Sequence, residues 1–277
     1  MKILNINKCF ILLIILLIAD CALGAFIGVW RDWYWQSLSD KHFNLWILYI
    51  AEFSGVALVS CFVSSYSQYV TSVAALGMRT KLTRKALQLN HHKGVEGGNQ
   101  RIQEDCMSYP TLLVNLTVGV LRSLIMIVVF VVIILQHLSV AYLLIPVLYS
   151  VVGTLIAGKI AMPLISLNYI NQVFEAKFRQ SLTKINYRDV HGNNFKMFKK
   201  TKHLAYFQVF YNQITIIIPH LALSGLYFSG RITFGIFMQV AASFAEIINS
   251  MSYLINSFGD INRLLSCRRR LKEISLI

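Results

Sequence analysis

Six apolar stretches, each close to the length a helix needs to cross a bilayer, constrain this chain more than any other feature. A spanning helix takes roughly 20 mostly apolar residues. The stretches cover about 9–30, 45–70, 111–135, 139–168, 205–229 and 232–258. Backbone polar groups find no water partner in hydrocarbon, so these read as helices and not as open strands. The expected fold is an all-α membrane protein, with 1–277 as one transmembrane domain. The segments about 71–110 and 169–204 lie between spans. Leu82, Ala86 and Leu89 recur at helical spacing in the first, and Phe178, Leu182 and Ile185 in the second. Membrane helices are therefore expected to run on past the bilayer and turn back, with Gly94-Val95-Glu96-Gly97-Gly98 as a turn signal.

Charge then orients the chain. The formal net charge is +14, from 26 Lys and Arg against 12 Asp and Glu. Such an excess raises nucleic acid or an anionic membrane surface as partner. Its distribution decides. The N-terminus, the segments 71–110 and 169–204, and the C-terminus together hold 21 of the basic residues. The alternate connections hold three, Arg31, Lys41 and Arg231, and Arg122 and Lys159 fall inside spans. The positive-inside rule places the 21 in the cytoplasm, with both termini. No segment is long and polar enough to form a nucleic-acid module, so the charge reads as a topology signal and no nucleic-acid partner is expected. The apolar N-terminus runs on to Trp30, which fits a span better than a signal peptide.

Ionisable groups inside spans are where function is first sought in a membrane protein. Asp20, Glu52, Arg122, Lys159 and Glu246 qualify. Glu246 stands among Gln239, Ser243, Asn249 and Ser250, a polar stripe suited to lining a water-filled cavity. The competing reading pairs it with a basic residue such as Arg122 inside the bundle. Glu52 reads as interfacial, and Asp20 could be so too. Trp30 to Trp35 reads as an aromatic belt at a span end. Gly153 to Ile160 approaches a phosphate-binding loop, but Ile160 stands where the magnesium-binding hydroxyl belongs, and the run lies inside a span. Small residues allowing close helix packing explain it better. The five cysteines and seven histidines show no metal-ligand spacing, so neither metal nor cofactor is expected. No nucleophile–base set is legible, and an enzyme is the least expected class.

Three ordered motifs bring in a resemblance. Glu96-Gly97-Gly98-Asn99-Gln100-Arg101-Ile102-Gln103-Glu104-Asp105 resembles the E-G-x-x-Q-R-[IV]-Q-E-D signature of the SbmA/BacA family of bacterial peptide transporters. Asn171-Gln172-x-x-Glu175-Ala176-x-Phe178-Arg179-x-x-Leu182 is similar to a second family stretch, and Gly230 to Gln239 with Tyr253 to Ser257 to a third. The resemblance implies six helices in an ABC-exporter-like arrangement, working as a homodimer in the bacterial inner membrane. It implies proton-coupled uptake of peptides, antimicrobial peptides included, without an ATPase domain in the chain. Glu175 matches a family glutamate linked to transport, with Arg179 in the same motif. Gln100, Arg101, Glu104 and Asp105 carry the cytoplasmic signature, and physically they read as a charge-paired turn that locks the inner loop. Past Leu182 the pattern departs: Lys184, Asn186 and Tyr187 stand where the family carries acids. Proton-pathway candidates are thus Glu175, Glu246, Arg179 and Glu52. Two alternatives stay open: the membrane subunit of a split ABC transporter whose ATPase is another chain, and a non-transporting remnant.

Overall fold

The computed structural model describes residues 6–93, 98–160, 162 and 187–273. Among these there are helices and turns but no strand. In chain order they are α1 (Ile6–Ser39), α2 (Phe43–Lys93) and α3 (Gly98–His137). A 3-10 turn at Val140–Leu143 leads into α4 (144–160). Then come α5 (Tyr187–Phe228), α6 (Phe234–Met251), the four-residue α7 (Tyr253–Asn256) and α8 (Phe258–Glu273). Six of these segments are long and apolar enough to cross a membrane.

The helices outrun the apolar stretches for a physical reason. At 1.5 Å per residue, the 51 residues of α2 extend about 75 Å, well past the roughly 40–45 Å of a whole bilayer. Two aromatic sites mark where the lipid sits on it. Trp46 lies near its start, and the exposed Tyr66 and Tyr69 stack at 6.0 Å some twenty residues later. That separation is about 30 Å, the hydrocarbon thickness, and such rings favour the two interfaces. The rest of α2, rich in Arg and Lys, projects beyond the membrane. We call this the basic end and the other the aromatic end. α3 likewise starts at Gly98, ahead of the apolar stretch, and passes through Pro110 without ending. Pro110 is fully buried there, and the Thr111 hydroxyl beside it donates back to the Met107 carbonyl at 3.0 Å.

The core lies where α1, α3, α5 and α6 meet. Leu17 and Cys21, Met126 and Phe130, Leu223, and Val240, Phe244 and Ile247 form its buried heart. A smaller cluster, with Leu13, Val70, Ala74 and Val114, joins α1, α2 and α3 toward the basic end. A third, Ala86, Cys106 and Leu271, ties α2 and α3 to α8. By contrast α2 exposes Leu58, Val59 and Phe62 within its apolar half. An apolar face of that size faces lipid or another protein surface.

The aromatic end is closed by short connections. α1 and α2 are joined by a turn at 40–42, where Lys41 takes a left-handed φ of 59°. α6 opens on Thr233, whose hydroxyl accepts from the Ile236 amide. There α1 and α6 touch backbone to backbone: a side chain at Gly235 would strike the Asp32 carbonyl, and the Gly235 amide donates to Gln36 Oε1 at 3.1 Å. The Trp30 to Trp35 segment is helical, inside α1. Its rings stack in series, Tyr34 on Trp30 at 4.7 Å and Trp30 on Phe53 at 5.0 Å.

Candidate functional site

Two ion pairs cross between α1, α3 and α6 at membrane depth. Arg122 Nε donates to Asp20 Oδ2 at 2.8 Å. Arg31 lies 3.8 Å from Glu246 Oε1. Arg122 also feels the Glu246 charge. The four groups form a net-neutral set of two carboxylates and two guanidiniums on three helices.

Depth follows from helix geometry. Glu246 is twelve residues into α6 from Phe234, about 18 Å. Arg122 is fifteen residues short of the end of α3, about 22 Å. Asp20 is thirteen residues from Trp33 on α1, about 20 Å. All three belong well inside the hydrocarbon band. Arg31 starts nearer the aromatic end yet reaches inward. The reason is directional: side chains lean toward their own helix N-terminus. Arg31 on α1 leans toward the basic end, while Glu246 on the opposed α6 leans toward the aromatic end. They meet because the helices are antiparallel. An arginine near an interface would ordinarily snorkel out to water, so its inward reach marks a carboxylate worth meeting.

The set is not sealed. Glu246 retains 35% of its side-chain exposure and Arg122 retains 49%. Bare lipid is a costly environment for a guanidinium, so that open side faces water or protein. The α6 stripe divides accordingly. Gln239 and Ser243 are buried, with Gln239 Nε2 donating to the Gly28 carbonyl at 3.1 Å and Ser243 Oγ to the Gln239 carbonyl at 2.8 Å. Glu246 is half-buried and Asn249 exposed. Gln239 Oε1 is buried without a hydrogen-bond partner.

At the basic end a second arrangement stands apart. Asp105, from α3, has 3% side-chain exposure and is gripped by Arg270 of α8. Arg270 Nη2 donates to Oδ1 at 2.6 Å, and Nε to Oδ2 at 2.9 Å. The hydrogen bonds it donates to Asp105 hold the guanidinium pKa above its usual value, against partial burial that would lower it. Burial pushes the neighbouring Cys267 thiol up, and the Asp105 charge adds to it. The grip fastens the last helix to α3.

The sequence candidates fall out unevenly. Glu246 sits in the central set with Arg31 as its partner; Arg122, the partner named in the competing reading, is committed to Asp20. Asp20 itself is paired inside the bundle and not at an interface. Glu52 is exposed on α2, six residues past Trp46 toward mid-span. Glu175 and Arg179 lie outside the described residues, as does the 94–97 turn. Gln100 and Arg101 lie in the first turn of α3. Glu104 is exposed, whereas Asp105 carries the lock. Sequence reasoning overlooked Arg31 as a pairing group. Its eleven-residue spacing from Asp20 was the available signal, since three turns put both on one face of α1. Among the described residues no cluster of His, Cys, Asp or Glu could hold a metal ion.

Comparison with known proteins now bears on the whole arrangement. The model of the SbmA/BacA-like family matches residues 20–276. The chain belongs to that family. It is similar to the inner membrane ABC transporter ATP-binding protein YddA of Escherichia coli, 25% identical over 96% of this chain and 57% of that protein. It is also similar to an uncharacterized ABC transporter ATP-binding protein of Synechocystis, 25% identical over 65% of this chain and 30% of that one. A third relative is ABC transporter D family member 2, chloroplastic, of Arabidopsis thaliana, 26% identical over 46% and 21%. The chain thus spans little more than half the length of YddA and less of the others. Membership and six apolar helices make this SbmA/BacA-like chain a multi-pass membrane protein similar to ABC transporter proteins.

Proposed function

We propose that the chain is a proton-coupled importer of peptides, acting as a homodimer in a bacterial inner membrane with both termini cytoplasmic. The central set of four charges carries this reading. A half-exposed carboxylate held by a cation at mid-membrane depth is what a coupling site requires. Proton arrival at Glu246 would neutralise it and release Arg31; proton loss would restore the pair. Asp20 keeps Arg122 engaged and so prevents a second cation from competing for Glu246. Glu175 and Arg179 extend the pathway by family resemblance, with Glu52 as a further candidate. The exposed apolar face of α2 and the open side of Arg122 suit a second copy of the chain.

Uptake of a labelled proline-rich peptide, measured with and without a protonophore, tests it. Collapse of the gradient is expected to abolish uptake. Glu246→Gln is expected to abolish gradient-driven uptake while leaving the folded protein in the membrane. Undiminished uptake after the gradient collapses would sink the proposal.

A second reading draws on the relatives' printed names, which describe ATP-binding proteins, and on the length they have beyond the match. The chain would then be the membrane part of a two-chain ABC transporter. Co-purification of an ATPase subunit with the full chain, with uptake that needs ATP and survives a protonophore, would favour it.

A further inference from the structure

The last spanning helix is jointed. α6 stops at Met251, α7 occupies four residues, and α8 starts at Phe258. Ser252 (φ −83°, ψ 0°) and Ser257 (φ −90°, ψ 8°) stand at the two breaks in the sparsely populated bridge region. No proline lies between Phe234 and Glu273. Proline is therefore not the cause; Ser252, Ser257 and Gly259 supply the local weakness at which a helix bends, and contacts from other helices hold the bend.

Three contacts from distant parts of the chain hold it. The hydroxyls of Tyr211 on α5 and Ser252 lie 2.7 Å apart, both buried. Gln208 Nε2, one turn earlier on α5, donates to the Ile255 carbonyl at 3.2 Å, inside the joint. The Tyr253 ring fits against α3 at Gly119, where any side chain would collide with it. Tyr211 is itself fixed: Tyr149 of α4 donates to its carbonyl at 2.7 Å, and the two rings stack at 4.6 Å and 6°.

Among the described residues, the opposite side of the joint borders a partly open pocket. A cavity of about 180 Å³ lies between Thr154 and Gly158 of α4, Leu204 of α5, and Ile255, Phe258 and Ile261 of the joint. A side-chain carbon added at Gly158 would meet nothing within 4 Å. The pocket opens outward on one side, and beside a broken helix it leaves the joint's apolar side chains somewhere to go.

The two arms of the joint carry different ion pairs, although both pack on α3. α6 carries Glu246 against Arg31, and α8 carries Arg270 against Asp105. We infer that 252–257 is a hinge at which α8 swings relative to α6. The Tyr211 hydroxyl latches it, and the cavity receives Ile255 and Phe258 when it moves. Hinges of this kind concentrate a rotation in a few residues between rigid elements. The inference rests on packing alone and stands whatever cargo crosses, or whether protons drive it.

Spin labels at Ser229 and Leu265, both exposed, report the angle between the arms in the full chain reconstituted in lipid nanodiscs, with Cys61 replaced by Ser. The expected wild-type result is a distance distribution with more than one population. Gly158→Leu, which fills the cavity, is expected to collapse it to one. Ile261→Phe fills the same space from α8 and decides the matter if Gly158→Leu does not fold. Gly158→Ala is expected to resemble wild type, and Tyr211→Phe, which removes the latch, to shift the populations. A single narrow wild-type distance that the filling variants and Tyr211→Phe all leave unchanged would overturn the hinge.

Discussion

Asp105 shows how much one side chain can hold when it is buried and paired. Its carboxylate is almost wholly withdrawn from solvent and meets two nitrogens of Arg270. Removing only the cation leaves a buried charge uncompensated, at a cost of about 3 kcal/mol or more. Arg270→Met is therefore expected to lower the midpoint of thermal unfolding in detergent. Adding Asp105→Asn to that variant is expected to recover much of the loss, and a double-mutant cycle measures the coupling. Arg270→Lys is expected to fall between, because a point ammonium cannot reproduce the two-toothed grip. Gly235 makes a second residue-scale case. Gly235→Ala must push α1 and α6 apart at the Asp32 carbonyl, with a cost of roughly 1–3 kcal/mol of the overpacking kind. The same unfolding assay, with Gly158→Ala as a neutral comparison, checks it.

Among the elements, α2 and α6 behave oppositely. α2 is continuous over 51 residues and carries its apolar half through the lipid and its basic half beyond. α6 is short, packed on one face and followed by breaks. Impermeant-maleimide labelling separates the two ends in intact cells. Leu87→Cys on α2 and Arg268→Cys on α8 are expected to be protected until the membrane is opened. Ser229→Cys, at the other end of the bundle, is expected to react from outside. Labelling of Leu87→Cys in sealed cells would reverse the proposed orientation. The length of α2 was legible in outline, because a basic stretch with Leu82, Ala86 and Leu89 at helical spacing follows the apolar one; the second such stretch, at Phe178, Leu182 and Ile185, lies outside the described residues. Passage of α3 through Pro110 was not legible. Sequence alone treats an interior proline as an end, while the packed surroundings of Pro110 let the helix continue.

Across the whole molecule, the charged set and the lock sit at different heights on shared helices. α3 carries Arg122 in the one and Asp105 in the other, and α1 and α6 close the aromatic end. A second copy of the chain is the proposed cover for the exposed side of α2. Native mass spectrometry of the detergent-released protein is expected to give twice the 31.5 kDa chain mass. Phe62→Asp, on the exposed apolar face of α2, is expected to weaken that association if the face is the contact. Persistence of the monomer at all concentrations would remove the homodimer from the proposal.

Membrane residence, helical class and the uneven placement of basic charge were decided locally. Each depends on what stands within a window of about 20 residues, and a bilayer rewards that pattern whatever the neighbouring helices are. The motif around Asp105 was legible for the same reason, as a short run. Pairing was not. Arg122 meets a carboxylate 102 residues away, and Arg31 turns inward only because α6 runs antiparallel beside it. The breaks after Met251 are held by Tyr211, Gln208 and Gly119, which belong to other helices. Helix rotation and neighbour choice set these contacts, and both are fixed by side chains packing across the bundle, which no periodicity along one helix records.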